Sequence, residues 1–381
     1  MAVRHGRDAD ALEVCPVIVH VGPSHLPLPA RLGGAVERRM LELAEAQARG
    51  GERVIVYSGA AETGWREYRG VSIRYLGGAR TEFALRFVQD AAPRRPRIVH
   101  VHNRAEIAWL TTAARLAPAV LSCDYHFEPW RRFAHLRKIT KAVWRRCLLA
   151  CDRIAPVSDY CLRTYRGYWD LPGDKMALIP NGVDCARFHP DAALRAEWRA
   201  RLGLDGHPMI LYAGRLCRQK GTDLLIAAYR MLKRPAKLVV VGPCERFGET
   251  RLGELVTQVS EAGGTHLPPL DDSDMPGIYN ACDIFVMPTR ELEMFGMAAV
   301  EAQACGKPVI ASDHGGLRET VPESAGMRFR PGDAAALAAC LETLLDRPDL
   351  RRTLAFRAIQ NAARYDWPRI AERCQEVYAG L

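Results

Sequence analysis

The chain lacks any C-x-x-C pair among its twelve cysteines, which removes the usual zinc and dithiol redox patterns. Several thiols, Cys151, Cys282 and Cys305 among them, fall inside apolar runs, as reduced and partly buried cysteines of a cytoplasmic protein do. Long apolar runs are also missing. The first apolar stretch, residues 14–21, is short, contains Pro16 and follows a charged segment, so neither a signal peptide nor a transmembrane helix is expected. No internal repeat or low-complexity segment stands out. The strand over 16–21 runs into Gly22-Pro23-Ser24-His25, not into a G-x-G-x-x-G turn, so the dinucleotide fingerprint of a dehydrogenase is absent. The net charge is +9, yet no RNA- or DNA-binding module accompanies it, and nucleic acid is not an expected partner.

What is present is an ordinary globular composition, 48% hydrophobic and 25% charged over 381 residues, long enough for two domains. Strands are expected over 16–21, 53–57, 71–76, 97–101, 119–122 and 153–157, with a helix over 35–49 closed by Gly50-Gly51. The alternation restarts with strands over 209–213, 237–241, 283–287 and 308–311. This predicts two doubly wound α/β sheets joined near residues 181–191.

Two loops carry the chemistry. The strand ending at Pro288 leads to the run Glu293-Met294-Phe295-Gly296-Met297, and then to a helix that holds Glu301 and stops before Gly306 and Pro308. Gly296 therefore sits at a helix N-terminus, whose free N–H groups suit a phosphate. The plainer alternative is that the two glutamates stabilise the helix dipole. The strand over 209–213 leads to Gly214, Arg215 and Lys220, cations that a departing diphosphate requires; Arg218 reads as solvated surface. Both loops follow strands of one sheet and can converge at its carboxyl end.

These residues resemble the retaining glycosyltransferases of family 4, which have the two-domain GT-B fold. Gly214-Arg215…Lys220-Gly221 is similar to the family's G-R-x-x-x-x-K-G element, and Glu293…Glu301 to its E-x-F-G-x-x-x-x-E element. Ile179-Pro180-Asn181-Gly182-Val183-Asp184 resembles the interdomain segment, and Gly315-Gly316…Glu319 a further loop. The resemblance implies an acceptor-binding domain over 1–187, a nucleotide-sugar domain over 188–365 and a terminal segment 366–381 whose helix crosses back to the first domain. It implies that Arg215, Lys220, Glu293 and His126 are catalytic. Arg215 and Lys220 would neutralise the diphosphate with help from the backbone of Phe295, Gly296 and Met297. Glu301 would hold the ribose, Glu293 the sugar hydroxyls, and backbone near Pro243 and Leu270 the base. Gly34, after Gly33, would let the backbone approach the donor phosphate and the acceptor, or is simply the N-cap glycine of a flexible turn. His126 would face the donor sugar, but Ser122-Cys123-Asp124-Tyr125-His126 departs from the usual Thr-x-His-Asp form, so Asp124 or Glu128 could take that place. The donor is expected to be a nucleoside diphosphate sugar, UDP-sugar before GDP-sugar, used without metal or other cofactor.

Three further features invite chemistry. His100 and His102 share one face of a strand, as a metal pair would, but no third ligand at suitable spacing accompanies them; His102, with Asn103 at the strand end, is expected in a structural or an acceptor-side role. Asp271-Asp272-Ser273-Asp274 precedes Met275-Pro276 and reads as a helix cap, not as a manganese motif. Finally, Phe133, Leu136, Ile139, Val143, Trp144 and Cys147 recur at helical spacing with Arg131, Arg132, Lys138 and Lys141 largely off that stripe. Such a helix can pack on the sheet with its basic face solvated, or lie on an anionic membrane. The latter fits a peripheral enzyme on the inner face of the cytoplasmic membrane, acting on a lipid-linked saccharide of a bacterial envelope; the alternatives are a soluble small-molecule glycosyltransferase and a non-catalytic polyanion- or membrane-binding protein.

Overall fold

The computed structural model describes residues 17–23, 26–29, 34–124, 137–204, 206–244, 253–291 and 293–381, without the side chains of residues 137 and 138. The first sheet contains β1 (Val17–Val21), β2 (Arg53–Gly59), β3 (Gly64–Tyr68), β4 (Val71–Leu76), β5 (Ile98–His102), β6 (Ala119–Cys123) and β7 (Arg153–Pro156), in the order β3-β4-β2-β1-β5-β6-β7. The second contains β8 (Met209–Ala213), β9 (Lys237–Val241), β10 (Thr265–Leu267), β11 (Ile284–Met287), β12 (Val309–Ser312) and β13 (Gly326–Phe329), in the order β10-β9-β8-β11-β12-β13. The central strands are short apolar runs buried on both faces, as parallel strands covered by helices must be. All pairings are parallel except β3 with β4. In each sheet the chain leaves the first strand in one direction and later returns to its other side, which puts a switch point between β1 and β5 and another between β8 and β11. Ligands collect at the carboxyl ends of strands flanking such points.

The expected strands are all found, with ends shifted by a residue or two. β3, β10 and β13 were not expected. β3 is a polar, exposed edge strand, β10 has three residues, and β13 begins with a glycine, so none shows the apolar run by which a buried strand is recognised.

The helix Ala35–Arg49 buries Met40, Leu43, Ala44 and Gln47 against the first sheet. The terminal helix Trp367–Ala379 packs beside it: Trp367, Ile370, Cys374 and Tyr378 share a core with Ile18, Leu43, Ile98 and Val120. The chain enters that helix through a parallel bridge between Val183 and Asp366, where the Val183 N–H donates to the Tyr365 carbonyl at 2.8 Å. A second tie joins the two halves. The Glu319 carboxylate accepts the backbone N–H groups of Asp159 and Tyr160, both at 2.8 Å, and so caps the helix Asp159–Trp169 from across the molecule.

Candidate active site between the two sheets

Two close backbone approaches bring the loops after β8 and β11 together. Gly221 has φ 74°, and a Cβ there would lie 1.9 Å from the Pro288 carbonyl oxygen, so no other residue fits without displacing the chain. Beside it the Gln219 carbonyl accepts the Arg290 N–H at 3.0 Å and the Thr289 hydroxyl at 3.2 Å. From the other side, the Gly316 N–H donates to the Glu293 carbonyl at 2.7 Å, and a Cβ on Gly316 would meet the Met294 carbonyl at 2.0 Å. Lys220 and Glu293 consequently face each other, with Nζ to Oε2 at 2.6 Å.

This pair borders a cavity of about 470 Å³ between the sheets. Gly214, Arg215, Lys220, Pro243, Leu270, Glu293, Phe295, Gly296, Met297 and Glu301 all line it. The helix Met297–Ala304 starts there, with Gly296 as a left-handed N-cap at φ 91°. The facing wall, from the first domain, is Ala35, Val36, Arg38, Arg39 and Asp124. Gly34 is the left-handed N-cap of the helix that carries the first four of these, at φ 70°. Asn181 also lines the cavity; its Oδ1 is buried without a hydrogen-bond partner among the described residues.

Glu301 is buried and engaged on both oxygens: Oε2 accepts the Tyr279 hydroxyl at 2.8 Å, and Oε1 pairs with Arg38 of the opposite domain. Arg38 also reaches Asp272 Oδ1 at 3.0 Å, and Arg187 reaches Asp272 Oδ2 at 2.5 Å. This corrects the expected helix cap. Neither Asp271 nor Asp274 makes a side-chain cap, and the Asp272 carboxylate is spent on ion pairs between domains. Glu42, which accepts the Trp367 indole N–H at 2.9 Å, has its pKa pushed up to about 7 by burial against the pull of Arg38.

The histidine expectation needs a larger correction. Sheet pairing sets His20 directly beside His100, and the nitrogens of His20, His100 and His102 lie within 4.8 Å of one another. The third ligand sought by sequence spacing is thus supplied by a neighbouring strand. Every ring nitrogen nevertheless has a protein partner. His20 Nε2 meets Gln47 Oε1 at 2.7 Å and its Nδ1 meets His102 Nε2 at 3.0 Å. His100 Nδ1 meets the Tyr378 hydroxyl at 2.5 Å and its Nε2 the Ser122 hydroxyl at 2.6 Å. His102 Nδ1 faces Arg39 Nη1 at 3.5 Å. A guanidinium beside the cluster and lone pairs already used are poor conditions for a cation. Burial holds the pKa of all three rings down, that of His20 to about 4. His102 is fully buried, which favours the structural of its two expected roles, while Asn103, half-buried at φ 56°, binds Asp124.

His126, Glu128, Arg131 and Arg132 lie outside the described residues, as does the Lys138 side chain. In the helix Arg137–Ala150, Lys141 stands 4.5 Å over the Tyr168 ring, and Arg145 binds the Trp169 carbonyl at 2.9 Å. The apolar stripe does not all pack inward: Trp144 and Cys147 touch the core, but Ile139 and Val143 are 65% and 56% exposed. Among the described residues no helix is long and apolar enough to cross a membrane.

Sequence reasoning missed Arg38, Arg39 and His20. For Arg39 a signal existed, because position 39 falls on the same helical stripe as Met40, Leu43 and Gln47, and a charge on an apolar face asks for a partner.

Residues 32–187 match the family described as Glycosyltransferase Family 4, and residues 195–361 match Glycosyl transferases group 1. The chain belongs to this glycosyltransferase family and has its GT-B fold. It is 28% identical to a D-inositol 3-phosphate glycosyltransferase of Kineococcus radiotolerans, over 98% of this chain and 96% of that protein. A protein of the same description from Nocardia farcinica is 35% identical over 54% of this chain, a match that spans only 48% of the relative. Among solved structures, HepE of Anabaena in complex with UDP superposes with a TM-score of 0.80 at 20% identity, covering 96% of this chain and all (100%) of that one.

Proposed function

We propose that the protein transfers a sugar from a nucleoside diphosphate donor to a hydroxyl acceptor with retention at the anomeric carbon. The observation that carries this is the meeting of Lys220 and Glu293 at 2.6 Å on the wall of a cavity that also receives Arg215 and the start of the helix Met297–Ala304. Arg215, Lys220 and the N–H groups of that helix offer positive potential where charge develops on a departing diphosphate. With that charge balance the protein supplies, no metal is assigned to the step. Glu293 would hold the hydroxyls of a hexose near the reacting carbon. Glu301 would hold the ribose once Arg38 is displaced. UDP is favoured over GDP, since HepE was also solved with UDP-glucose. The acceptor is assigned to a lipid-linked saccharide at the inner face of the cytoplasmic membrane, a choice supported by exposed Ile139 and Val143 on a helix that also carries Lys141 and Arg146.

A second reading has its own support. Relatives aligned over nearly the full chain are described as D-inositol 3-phosphate glycosyltransferases, which favours a small phosphorylated polyol as acceptor. Sedimentation with phosphatidylglycerol vesicles separates the two. Salt-sensitive binding that is lost on charge reversal at Arg131, Arg132, Lys138 and Lys141 supports the lipid acceptor, and absence of binding removes it. For the donor, a thermal-shift panel of UDP, GDP, ADP and their sugars is the direct test, because a ligand that binds only the folded state raises its melting temperature. No shift from any member in a folded sample would refute the proposal.

A further inference from the structure

We infer that Asp124, presented by a closed ring of buried polar side chains, is the hydroxyl-binding residue of the first domain; this rests on the proposed sugar transfer in the same cavity. Asp124 follows β6 and lines the cavity opposite Lys220, Glu293 and Glu301. Its carboxylate is fixed from two sides, Oδ1 by Arg39 Nη1 at 2.6 Å and Oδ2 by Asn103 Nδ2 at 3.0 Å. Its own N–H donates to Asn103 Oδ1 at 2.8 Å. Asn103 makes both bonds from a left-handed backbone at φ 56°, the kind of strain that persists only where surroundings enforce it. A carboxylate offers about four lone-pair positions, and the protein occupies two of these.

The ring behind Arg39 explains how the guanidinium stays in place with 1% of its side chain exposed. Gln47 Oε1 can only accept, so His20 Nε2 donates and His20 Nδ1 accepts from His102 Nε2. His102 Nδ1 is then an acceptor toward Arg39, which can only donate. On the other arm, Gln47 Nε2 donates to the Tyr378 hydroxyl at 3.3 Å, and His100 bridges the Tyr378 and Ser122 hydroxyls through Nδ1 and Nε2. Ser122 accepts Arg39 Nη2 at 3.1 Å. Both arms begin at Gln47 and end at Arg39. Neutral histidines satisfy every link, with the sense through His20 and His102 fixed by Gln47 Oε1 at one end and Arg39 at the other, and Arg39 Nη1 also reaches Asp124. A buried charge is costly unless paired, and a ring built from three strands and two helices to hold one arginine against a cavity carboxylate goes beyond what a core needs. Arg39 is a positioning residue; Asp124 is the group that meets substrate.

The hydroxyl can belong to the donor sugar or to the acceptor, and the test separates them. Wild type, Asp124→Asn, Asp124→Glu and Arg39→Lys are titrated with UDP and with UDP-glucose by calorimetry, and glucose release from UDP-glucose to water or to an acceptor is followed. If Asp124 binds the donor sugar, UDP-glucose affinity falls roughly 10- to 100-fold in Asp124→Asn, the loss expected for one hydrogen bond to a charged group, while UDP affinity is unchanged. If it binds the acceptor hydroxyl, both affinities hold and glucose release falls by a similar factor. Asp124→Glu keeps the ion pair and guards against misfolding; it should show the same pattern, as should Arg39→Lys to a smaller degree. Wild-type affinities and release in both Asp124 variants would overturn the inference, and so would equal losses for UDP and UDP-glucose. A wild type that binds no nucleotide of the wider panel overturns the proposed transfer itself, a result read without any variant.

Discussion

The histidine ring makes a quantitative prediction about acid stability. His20 is fully buried, accepts at Nδ1 and donates at Nε2, and stays neutral down to about pH 4 because burial penalises its charge. In the unfolded chain it titrates at its ordinary value of 6.5. Between those pH values only the unfolded state takes up the proton, so stability is full above pH 6.5 and falls as the pH drops toward 4, at about 1.4 kcal/mol per pH unit. From pH 7.5 to 5.0 this amounts to about 2 kcal/mol for His20 alone. The whole protein will not show that figure, because His100 and His102, also held down by burial, add to it, and Glu42 works the other way: its folded pKa is about 7 against 4.5 unfolded, so the folded state gains the proton first. The remedy is a difference. Wild type and His20→Gln share every other titrating group, and the wild-type stability minus that of the variant should drop by about 2 kcal/mol between pH 7.5 and 5.0. Urea unfolding followed by tryptophan fluorescence at the two pH values measures it. A difference that stays flat would mean His20 is already protonated in the folded state, and the sense assigned to the hydrogen bonds through His20 would be wrong.

Other outcomes follow from the cavity. Lys220→Ala and Glu293→Ala should keep the wild-type circular dichroism spectrum and lose transfer by about 100- to 1,000-fold in kcat; wild-type turnover in both would remove the site assignment. Arg38→Ala frees Glu301 from its ion pair, so UDP affinity measured by calorimetry should rise several-fold, and weaker binding would instead make Arg38 a ligand of the diphosphate. Gly221→Ala forces a Cβ to 1.9 Å from the Pro288 oxygen at φ 74°, and should cost at least about 2 kcal/mol in urea unfolding. A neutral result there would show that the loop holding Lys220 can yield.

What could be read from the sequence was what lies close along the chain. Buried strands such as β1, β8 and β11 are short apolar runs, and Lys220 and Glu293 each sit on a loop directly after such a run. Their convergence follows from the rule that parallel strands present their carboxyl ends together. What escaped depends on neighbours far apart in sequence. His20 meets His100 through sheet register, and Arg38 meets Glu301 across the cleft. Asp272 looked like a cap because local spacing favours one, yet two arginines from the opposite side of the cleft outbid the local backbone for its carboxylate.

Arg38 and Arg39 show how one helical turn can serve two ends of a site. Successive helical residues point about 100° apart, so neighbours in sequence cannot share a target. Arg38 leaves the helix Ala35–Arg49 toward Glu301 and Asp272 in the second domain, whereas Arg39 turns into its own sheet toward Ser122 and Asp124. Both side chains border the same cavity. Arg39 is locked by the ring and cannot follow its neighbour, so a ligand that displaces Arg38 from Glu301 can open the ribose side while the Asp124 carboxylate stays fixed. The division of labour is electrostatic as well: one arginine has partners it can exchange, with a quarter (25%) of its side chain exposed, and the other, at 1%, is buried with the partner it keeps.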